Sequence, residues 1–200
     1  MEADPLPAPR AAALTSEAGA EQRLLARAQR GERAAFRELL RLYQDRVYTL
    51  ALRLVRVRED AEELAQDVFV SLHRHLASIV SPEHLRFWLR RTVCHRAIDR
   101  LRRLRSRAAL PLESAAEIEE SAPSVDPMLE KRLRELVARL PPGPRATLLL
   151  RYQEDLDPPE IARTLGVPLN TVKSHLRRSL ALLRGRCGDL GEGEARGELA

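Results

Sequence analysis

The chain has 200 residues, of which 44% are hydrophobic, 32% charged and 4% aromatic, and its formal net charge is +5. Its apolar residues are mainly Leu and Ala, which favour helices, and residues that fill strands are too few for a sheet. We therefore expect an all-α fold, and the length allows one large domain or two small ones.

Several classes of protein are not expected from this sequence. Cys94 and Cys187 form no Cys-x-x-Cys pair or Cys/His cluster, so neither a metal site nor a disulfide is predicted. The acidic, Pro- and Ala-rich start does not resemble a secretory signal, and no run approaches the ~18 apolar residues of a membrane span. We expect a cytoplasmic protein that does not insert into a membrane. No nucleophile, metal pattern or phosphate loop predicts an enzyme, a catalytic residue or a cofactor.

The first helical block is expected between residues 21 and 107, after a disordered tail at residues 1–20. Within the block, apolar residues recur at the i, i+3, i+4, i+7 spacing of amphipathic helices. Gly31 is expected to end a short first helix. Ser81 is expected to cap the last helix, with Pro82 in its first turn.

An acidic linker is expected at residues 108–127. The stretch "ALPLESAAEIEESAPSVDP" has acidic residues, three prolines, no basic residue and no sustained period, which is typical of a flexible, self-repelling spacer. Residues 128–186 form a second helical block, and the Gly- and Glu-rich residues 187–200 are expected to be disordered.

A helix-turn-helix is indicated by "PPEIARTLGVPLNTVKSHLRRSLALLR" in the second block. Ile161 and Leu165 are spaced to pack inward, and Gly166 is expected to take a positive φ and end the first helix. Asn170 or Thr171 is expected to cap the second helix.

The outward face of this second helix carries the donors and cations that base edges and phosphates require. Its members are Asn170, Lys173, Ser174, Arg177 and Arg178. The spacing favours a helix that reads DNA, and the alternative is a basic amphipathic helix with a solvated face.

Two oppositely charged patches lie in the first block. The acidic patch in "REDAEELAQDVF" is either a solvated face or a docking surface for a basic partner, and its carboxylates are Glu59, Asp60, Glu62, Glu63 and Asp67. The basic patch has nine arginines between Arg86 and Arg107, with Asp99 as the one acid and Trp88 near its start. Arginines beside aromatic residues suit DNA with unstacked bases, although a lone Trp is also an ordinary core anchor.

Three stretches resemble a bacterial RNA polymerase sigma factor of the sigma-70 family, in its extracytoplasmic-function (ECF) group. "LLRLYQDRVYTLALRLVRVREDAEELAQDVFVSLHRHL" resembles regions 2.1–2.2 and "FWLRRTVCHRAIDRLRR" regions 2.3–2.4. "LPPGPRATLLLRYQEDLDPPEIARTLGVPLNTVKSHLRRSLALLR" resembles region 4. The resemblance covers roughly residues 24–107 and 128–184. It implies a transcription initiation factor that binds RNA polymerase core, recognises the −10 and −35 promoter elements and helps to melt the DNA.

The resemblance also implies roles for individual residues. Binding to the clamp coiled-coil of core polymerase is implied for Asp60, Glu62, Glu63, Gln66, Asp67 and Phe69. Contacts to the −10 element are implied for Trp88, Arg90, Arg91, His95, Arg96, Asp99, Arg100 and Arg103. Contacts to the −35 element are implied for Arg151, Asn170, Thr171, Lys173, Ser174, His175, Arg177 and Arg178. Region 4 would also touch the polymerase flap, and an anti-sigma factor is an expected partner.

Some positions depart from the family pattern. His95 stands where Asn is usual, His175 where Arg is usual, and Asn170 where Gly is usual, so the promoter bases are not predicted. Pro158–Pro159 begin the first helix of the motif, where a first turn tolerates proline. "TVKSHL" also resembles the recognition helix of LuxR-type regulators, so a stand-alone regulator is the alternative. The first block lacks the alternating strands of a receiver domain.

Overall fold

The computed structural model describes residues 9–107 and 127–197, and within these ranges every regular element is a helix. The expected all-α fold is confirmed. The first half consists of α1 (Pro9–Gln29), α2 (Arg33–Val55), α3 (Arg58–His75), a 3-10 turn (Leu76–Ser78) and α4 (Pro82–Arg107). The second half consists of α5 (Pro127–Arg139), α6 (Pro142–Tyr152), α7 (Pro158–Leu165) and α8 (Leu169–Gly197).

Helix α2 lies at the centre of the first half and contacts α1, α3 and α4. Its buried stripe includes Leu39, Tyr43, Val47, Leu50 and Leu54, which repeat at the helical spacing expected from the sequence. Helices α3 and α4 complete the same core with their own stripes, so the first block is a bundle built around one apolar centre.

The junctions of this bundle follow local signals in the sequence. Gly31 has φ +87° and separates α1 from α2. The Ser81 hydroxyl accepts a hydrogen bond from the His84 amide at 3.1 Å, and Pro82 is the first residue of α4, as expected for a capped helix start.

Helix α1 begins inside the stretch expected to be a disordered tail. Helical backbone starts at Pro9 because the Ala-rich residues that follow favour helix. The end of α1 is fixed to the bundle, because the side-chain Nε2 of Gln29 donates to the backbone carbonyls of Leu76 at 2.9 Å and Ile79 at 2.6 Å. Glu21 accepts hydrogen bonds from the Tyr43 hydroxyl and from Arg86.

The second half folds around α6, which contacts α7 and α8. Leu136, Leu140, Leu148 and Leu183 form a small buried cluster between α5, α6 and α8. Helix α8 continues to Gly197, into residues 187–200 that were expected to be disordered, since this stretch also contains helix-favouring Leu, Ala, Arg and Glu.

The two halves pack against each other through α4, which contacts both α6 and α7. Leu149, Leu150, Leu156, Ile161 and Leu165 belong to the same buried cluster as the core of the first half. The expected acidic linker at residues 108–127 lies outside the described residues except for Pro127, which opens α5.

Candidate nucleic-acid interface

The helix-turn-helix consists of α7 and α8 and has a sharply defined turn. A capping box starts α7: the Glu160 amide donates to Asp157 Oδ1 at 2.7 Å, and the Asp157 amide donates to Glu160 Oε2 at 2.8 Å. The double proline at the start of the helix is accommodated in its first turn. Gly166 ends α7 with φ 66°, as the sequence predicted. Helix α8 starts at Leu169, ahead of the expected caps Asn170 and Thr171.

The outer face of α8 is open to solvent. Val172 is fully buried, so the side of α8 that carries it faces the core. The residues on the outward side are exposed or half-buried, and they are Asn170, Thr171, Lys173, Ser174, Arg177 and Arg178. The cations among them form no ion pair with a described residue, so this face is a cationic ridge available to phosphates and base edges.

His175 lies on the flank of α8 and faces α6 instead of the outward ridge. Its Nδ1 is 3.2 Å from Thr147 Oγ1, and Thr147 Oγ1 donates its hydrogen to the Gly143 carbonyl at 2.9 Å. The hydroxyl has one hydrogen, so Nδ1 of His175 donates to it. Burial, and then the charge of Arg178, lowers the pKa of His175. A neutral His175 therefore fixes α8 against α6.

Arg151 also supports the motif from within. Its Nη1 donates to the Leu156 carbonyl at 3.0 Å, which holds the turn between α6 and α7. His175 and Arg151, both implied as −35 contacts, are thus bonded to the scaffold beneath the outer face of α8.

Three residues implied as −10 contacts point from α4 toward the second half. Arg91 Nη1 donates to the Arg163 carbonyl at 2.8 Å, and His95 Nε2 donates to the Thr164 carbonyl at 3.2 Å, both at the C-terminal end of α7. Arg90 lies 3.7 Å from Glu154. Positive or donor groups are favourable at a helix C-terminus, where carbonyls lack helical partners. In this arrangement α7 covers part of α4.

Two further arginines of α4 face α3. Arg100 Nη2 is 2.5 Å from Asp60 Oδ1 and 2.7 Å from Glu63 Oε2. Partial burial disfavours the charged guanidinium, but the hydrogen bonds to Glu63 and Asp60 outweigh it and raise the pKa of Arg100. Arg96 is 3.1 Å from Asp67 Oδ2 and donates to Ser71 Oγ at 3.1 Å.

The other implied −10 residues lie along the length of α4. Trp88 is half-buried against the core, and its ring centroid lies 5.7 Å from that of His75. Asp99 and Arg103 are exposed, and Arg103 Nε donates to the Asp99 carbonyl at 3.3 Å. Trp88 therefore packs against the core on one side, and part of its ring remains accessible to solvent.

The acidic patch on α3 has an apolar neighbour. Glu62 is exposed and pairs with Arg58 at 3.2 Å, and Gln66 is exposed on the same helix. Phe69 is half-buried and lines a shallow cavity of about 460 Å³ with Phe36 and Val70, whose side chain is 52% exposed. Charged and apolar side chains side by side are typical of a protein-docking surface.

Two features of the second half were not anticipated from the sequence. Arg145 is 2% exposed and donates to the carbonyls of Leu54, Ala138 and Leu140, so it joins α2 to the end of α5. The sequence signal was an arginine inside an apolar run, "PRATLLL". The second feature is an open apolar groove of about 540 Å³ whose lining includes Leu133, Val137, Leu180, Arg53, Arg56 and Arg184.

The described residues hold no cluster of three or more His, Cys, Asp or Glu side chains that could bind a metal ion. Among them, no helix has the length and apolar character needed to cross a membrane. What the described geometry offers is a cationic helix-turn-helix in one half, and an acidic face beside an arginine-rich helix in the other.

This combination of fold and surfaces defines a two-domain, all-helical DNA-binding protein of the helix-turn-helix class. Two family models match the chain: Sigma-70 region 2 over residues 39–107, and Sigma-70 region 4 over residues 130–183. The chain belongs to the sigma-70 family, in the ECF group of RNA polymerase sigma factors, and directs RNA polymerase to promoters. The family consists of transcription initiation factors, and the matches give no support to the LuxR-type alternative.

Individual relatives show the extent of the similarity. The chain is 32% identical over 170 residues to the ECF RNA polymerase sigma factor SigM of Mycobacterium tuberculosis, covering 85% of this chain and 86% of the relative. It is 32% identical over 157 residues to the ECF RNA polymerase sigma factor RpoE of Cereibacter sphaeroides, covering 76% of this chain and 86% of the relative.

Two solved structures share the fold. CnrH, solved in complex with the cytosolic domain of CnrY, matches with a TM-score of 0.62 and 23% identity, over 85% of this chain and 98% of CnrH. The sigma factor RpoE of Bartonella quintana, solved with the anti-sigma factor NepR, matches with a TM-score of 0.63 and 19% identity, over 75% of this chain and 94% of that chain.

Proposed function

We propose that the sigma-factor activity of this chain is divided among three surfaces. The outer face of α8 reads the −35 element, the arginine-rich helix α4 binds the −10 element and aids melting, and the acidic face of α3 docks on core polymerase. The observation that carries this division is the coexistence of an acidic α3 face, a basic α4 and a separate cationic helix-turn-helix in one chain.

In the −35 contact, we assign direct and supporting roles to different residues. Lys173, Arg177 and Arg178 are exposed cations on one face, suited to phosphates and guanine edges in the major groove. Asn170, Thr171 and Ser174 lie in the N-terminal turns of α8, the part of a recognition helix that usually reaches base edges. His175 and Arg151 act beneath them by fixing α8 and the preceding turn.

In the −10 contact, Arg90, Arg91 and His95 serve together with Trp88, beside which an unstacked base can lie. The donors of Arg91 and His95 are bonded to carbonyls of α7. A hydrogen that is donated to the Arg163 or Thr164 carbonyl cannot be donated to a phosphate at the same time. Use of these particular hydrogens at the −10 element therefore requires α7 to leave α4, which also separates the two DNA-reading surfaces.

For polymerase docking, the exposed carboxylates of Glu62 and Asp67 supply charge complementarity to a basic coiled-coil of the clamp, and the exposed Gln66 adds a neutral hydrogen-bonding group. Phe69 and Val70 supply apolar contact at the edge of this surface. A surface that joins apolar and charged side chains has the composition expected of a specific protein–protein contact.

The apolar groove between α5, α6 and α8 is a site for a helix of an anti-sigma factor. Arg53, Arg56 and Arg184 at its rim favour a helix with acidic flanks. An anti-sigma partner is further supported by two solved proteins of the same fold, each held in a complex, one of them with the anti-sigma factor NepR.

The division of surfaces is tested by two variants in two separate assays, one of binding to purified core enzyme and one of binding of the protein alone to duplex promoter DNA. Glu62→Lys/Glu63→Lys should weaken core binding and leave the α8 contact to promoter DNA intact. Arg177→Ala/Arg178→Ala should leave core binding intact and lower promoter affinity about 30-fold or more, from ~1–3 kcal/mol for each of the two lost base contacts. Arg186→Ala, an exposed arginine farther along α8, is the matched control. Loss of both activities in either variant, or of neither, contradicts the division.

A further inference from the structure

Two of the arginines implied as −10 contacts by the family resemblance are held by carboxylates that the same resemblance implies for polymerase docking. Arg100 bridges Asp60 and Glu63 at 2.5 and 2.7 Å, and Arg96 pairs with Asp67 at 3.1 Å. These contacts connect α4 to α3 across sequence separations of 29 to 40 residues. The same carboxylates therefore belong to two surfaces at once.

The pairing limits what either group can bind. The side chains of Asp60 and Arg100 are 21% and 27% exposed, so neither is freely solvated. A guanidinium whose hydrogens point at two carboxylates cannot present the same hydrogens to a phosphate. Likewise, a carboxylate neutralised by an arginine attracts a cationic partner less strongly than a free one.

We infer that Arg96 and Arg100 are released to DNA by ion-pair exchange when a cationic surface of core polymerase binds Asp60, Glu63 and Asp67. This inference rests on the proposed function and adds the link between its two parts. Because each binding event frees the groups that the other needs, the coupling is reciprocal: docking strengthens phosphate binding, and phosphate binding strengthens docking.

The neighbouring charges allow a matched comparison. Asp45 and Glu59 are exposed carboxylates of α2 and α3, and neither forms an ion pair with a described arginine of α4. Asp60→Asn/Glu63→Gln and Asp45→Asn/Glu59→Gln change net charge equally, but the first pair removes both ion pairs of Arg100, leaving only weaker neutral acceptors, and the second pair removes none. Arg102, exposed and 4.0 Å from Asp99, is the corresponding control for Arg100.

The first experiment measures binding of the full-length protein, without polymerase, to a fluorescent single-stranded dT20 oligonucleotide across a salt series. Phosphate contacts are independent of sequence, so the promoter need not be known. Asp60→Asn/Glu63→Gln should bind about three- to tenfold more tightly than wild type at low salt. The slope of the logarithm of its binding constant against the logarithm of the salt concentration should steepen by about 0.7, the value for one added single-strand phosphate contact.

Two further variants make this result specific. Adding Arg100→Ala to Asp60→Asn/Glu63→Gln should abolish the gain, and Asp45→Asn/Glu59→Gln should keep the wild-type slope. An equal gain in both neutralised pairs would mean that net charge alone matters, and an unchanged slope in Asp60→Asn/Glu63→Gln would mean that the carboxylates do not restrain Arg100. Either outcome overturns the inference. If that pair unfolds, Asp67→Asn makes the same test on Arg96, since Asp67 is 61% exposed.

The second experiment measures the reciprocal effect on core binding. Arg100→Ala frees Asp60 and Glu63, so it should bind core polymerase at least about threefold more tightly than Arg102→Ala, by linkage. Equal core affinities of the two variants would overturn the exchange. Failure of the proposed function would give a different result, because the wild-type protein would then not bind core polymerase at all. The salt slopes measured with dT20 would still show whether the carboxylates hold the arginines.

Discussion

Replacing Arg145 by methionine removes the side chain that ties α2 to the junction of α5 and α6. Its guanidinium donates to the Leu54 carbonyl at 2.7 Å, to the Leu140 carbonyl at 3.3 Å and to the carbonyl of Ala138. All three acceptors lie at helix C-termini, where carbonyls have no helical partner. Methionine has a similar length but cannot donate, so all three of these hydrogen bonds are lost.

The expected loss follows from counting these acceptors. An unsatisfied buried group costs ~1–3 kcal/mol, and hydrogen bonds from a charged donor contribute ~1.5–3 kcal/mol each. Relief from burying a charge, and the apolar contacts of methionine, offset part of this loss. We expect Arg145→Met to lower the free energy of unfolding by about 3 kcal/mol.

Urea unfolding followed by far-UV circular dichroism measures this change. The matched control is Arg139→Met, which alters an exposed arginine at the end of α5 and should stay within ~0.5 kcal/mol of wild type. If Arg145→Met loses less than about 1 kcal/mol, the three carbonyl contacts do not stabilise the fold and the reasoning is refuted.

Three further predictions concern local features. Asp157→Ala removes the capping box of α7 and should lower the free energy of unfolding by ~1 kcal/mol in urea, whereas no change would mean that the box is dispensable. Burial, followed by the charge of Arg178, lowers the pKa of His175 below its usual 6.5, so folding favours the neutral ring. The stability that the neutral ring contributes is complete above pH 6.5 and is lost as pH falls through the lower pKa of the folded protein. The difference in unfolding free energy between wild type and His175→Asn should therefore shrink over that pH range. A difference that stays constant with pH contradicts the prediction. Burial raises the pKa of the Cys94 thiol to about 12, so in a Cys187→Ser variant a thiol reagent at pH 8 should react only after urea is added, and rapid native labelling would disprove it.

The sequence predicted well those features that depend on neighbours along the chain. Helical spacing located the buried stripe of α2, Ser81 and Pro82 located the start of α4, and Gly166 located the turn of the helix-turn-helix. Each of these depends on local periodicity or on the φ preference of one residue.

The sequence could not predict features set by contacts between distant elements. Arg96 and Arg100 look like the other arginines of α4 until the orientation of α3 brings carboxylates to them. His95 bonds a backbone carbonyl of α7, an acceptor that every residue carries, so no pattern marks it in advance. Arg145 reads as an exposed cation by residue type, but packing of α2 against α5 and α6 buries it.

The central claim, that this chain selects promoters for RNA polymerase through two DNA-reading surfaces, is tested most directly by start-site mapping in vitro. Core enzyme is incubated with genomic DNA fragments of the source organism, with and without the purified chain, and the 5′ ends of the transcripts are sequenced. New start sites should appear that share one −35 and one −10 element at a fixed spacing, and they should disappear with Arg177→Ala/Arg178→Ala. Start sites no different from those of core enzyme alone would contradict the claim.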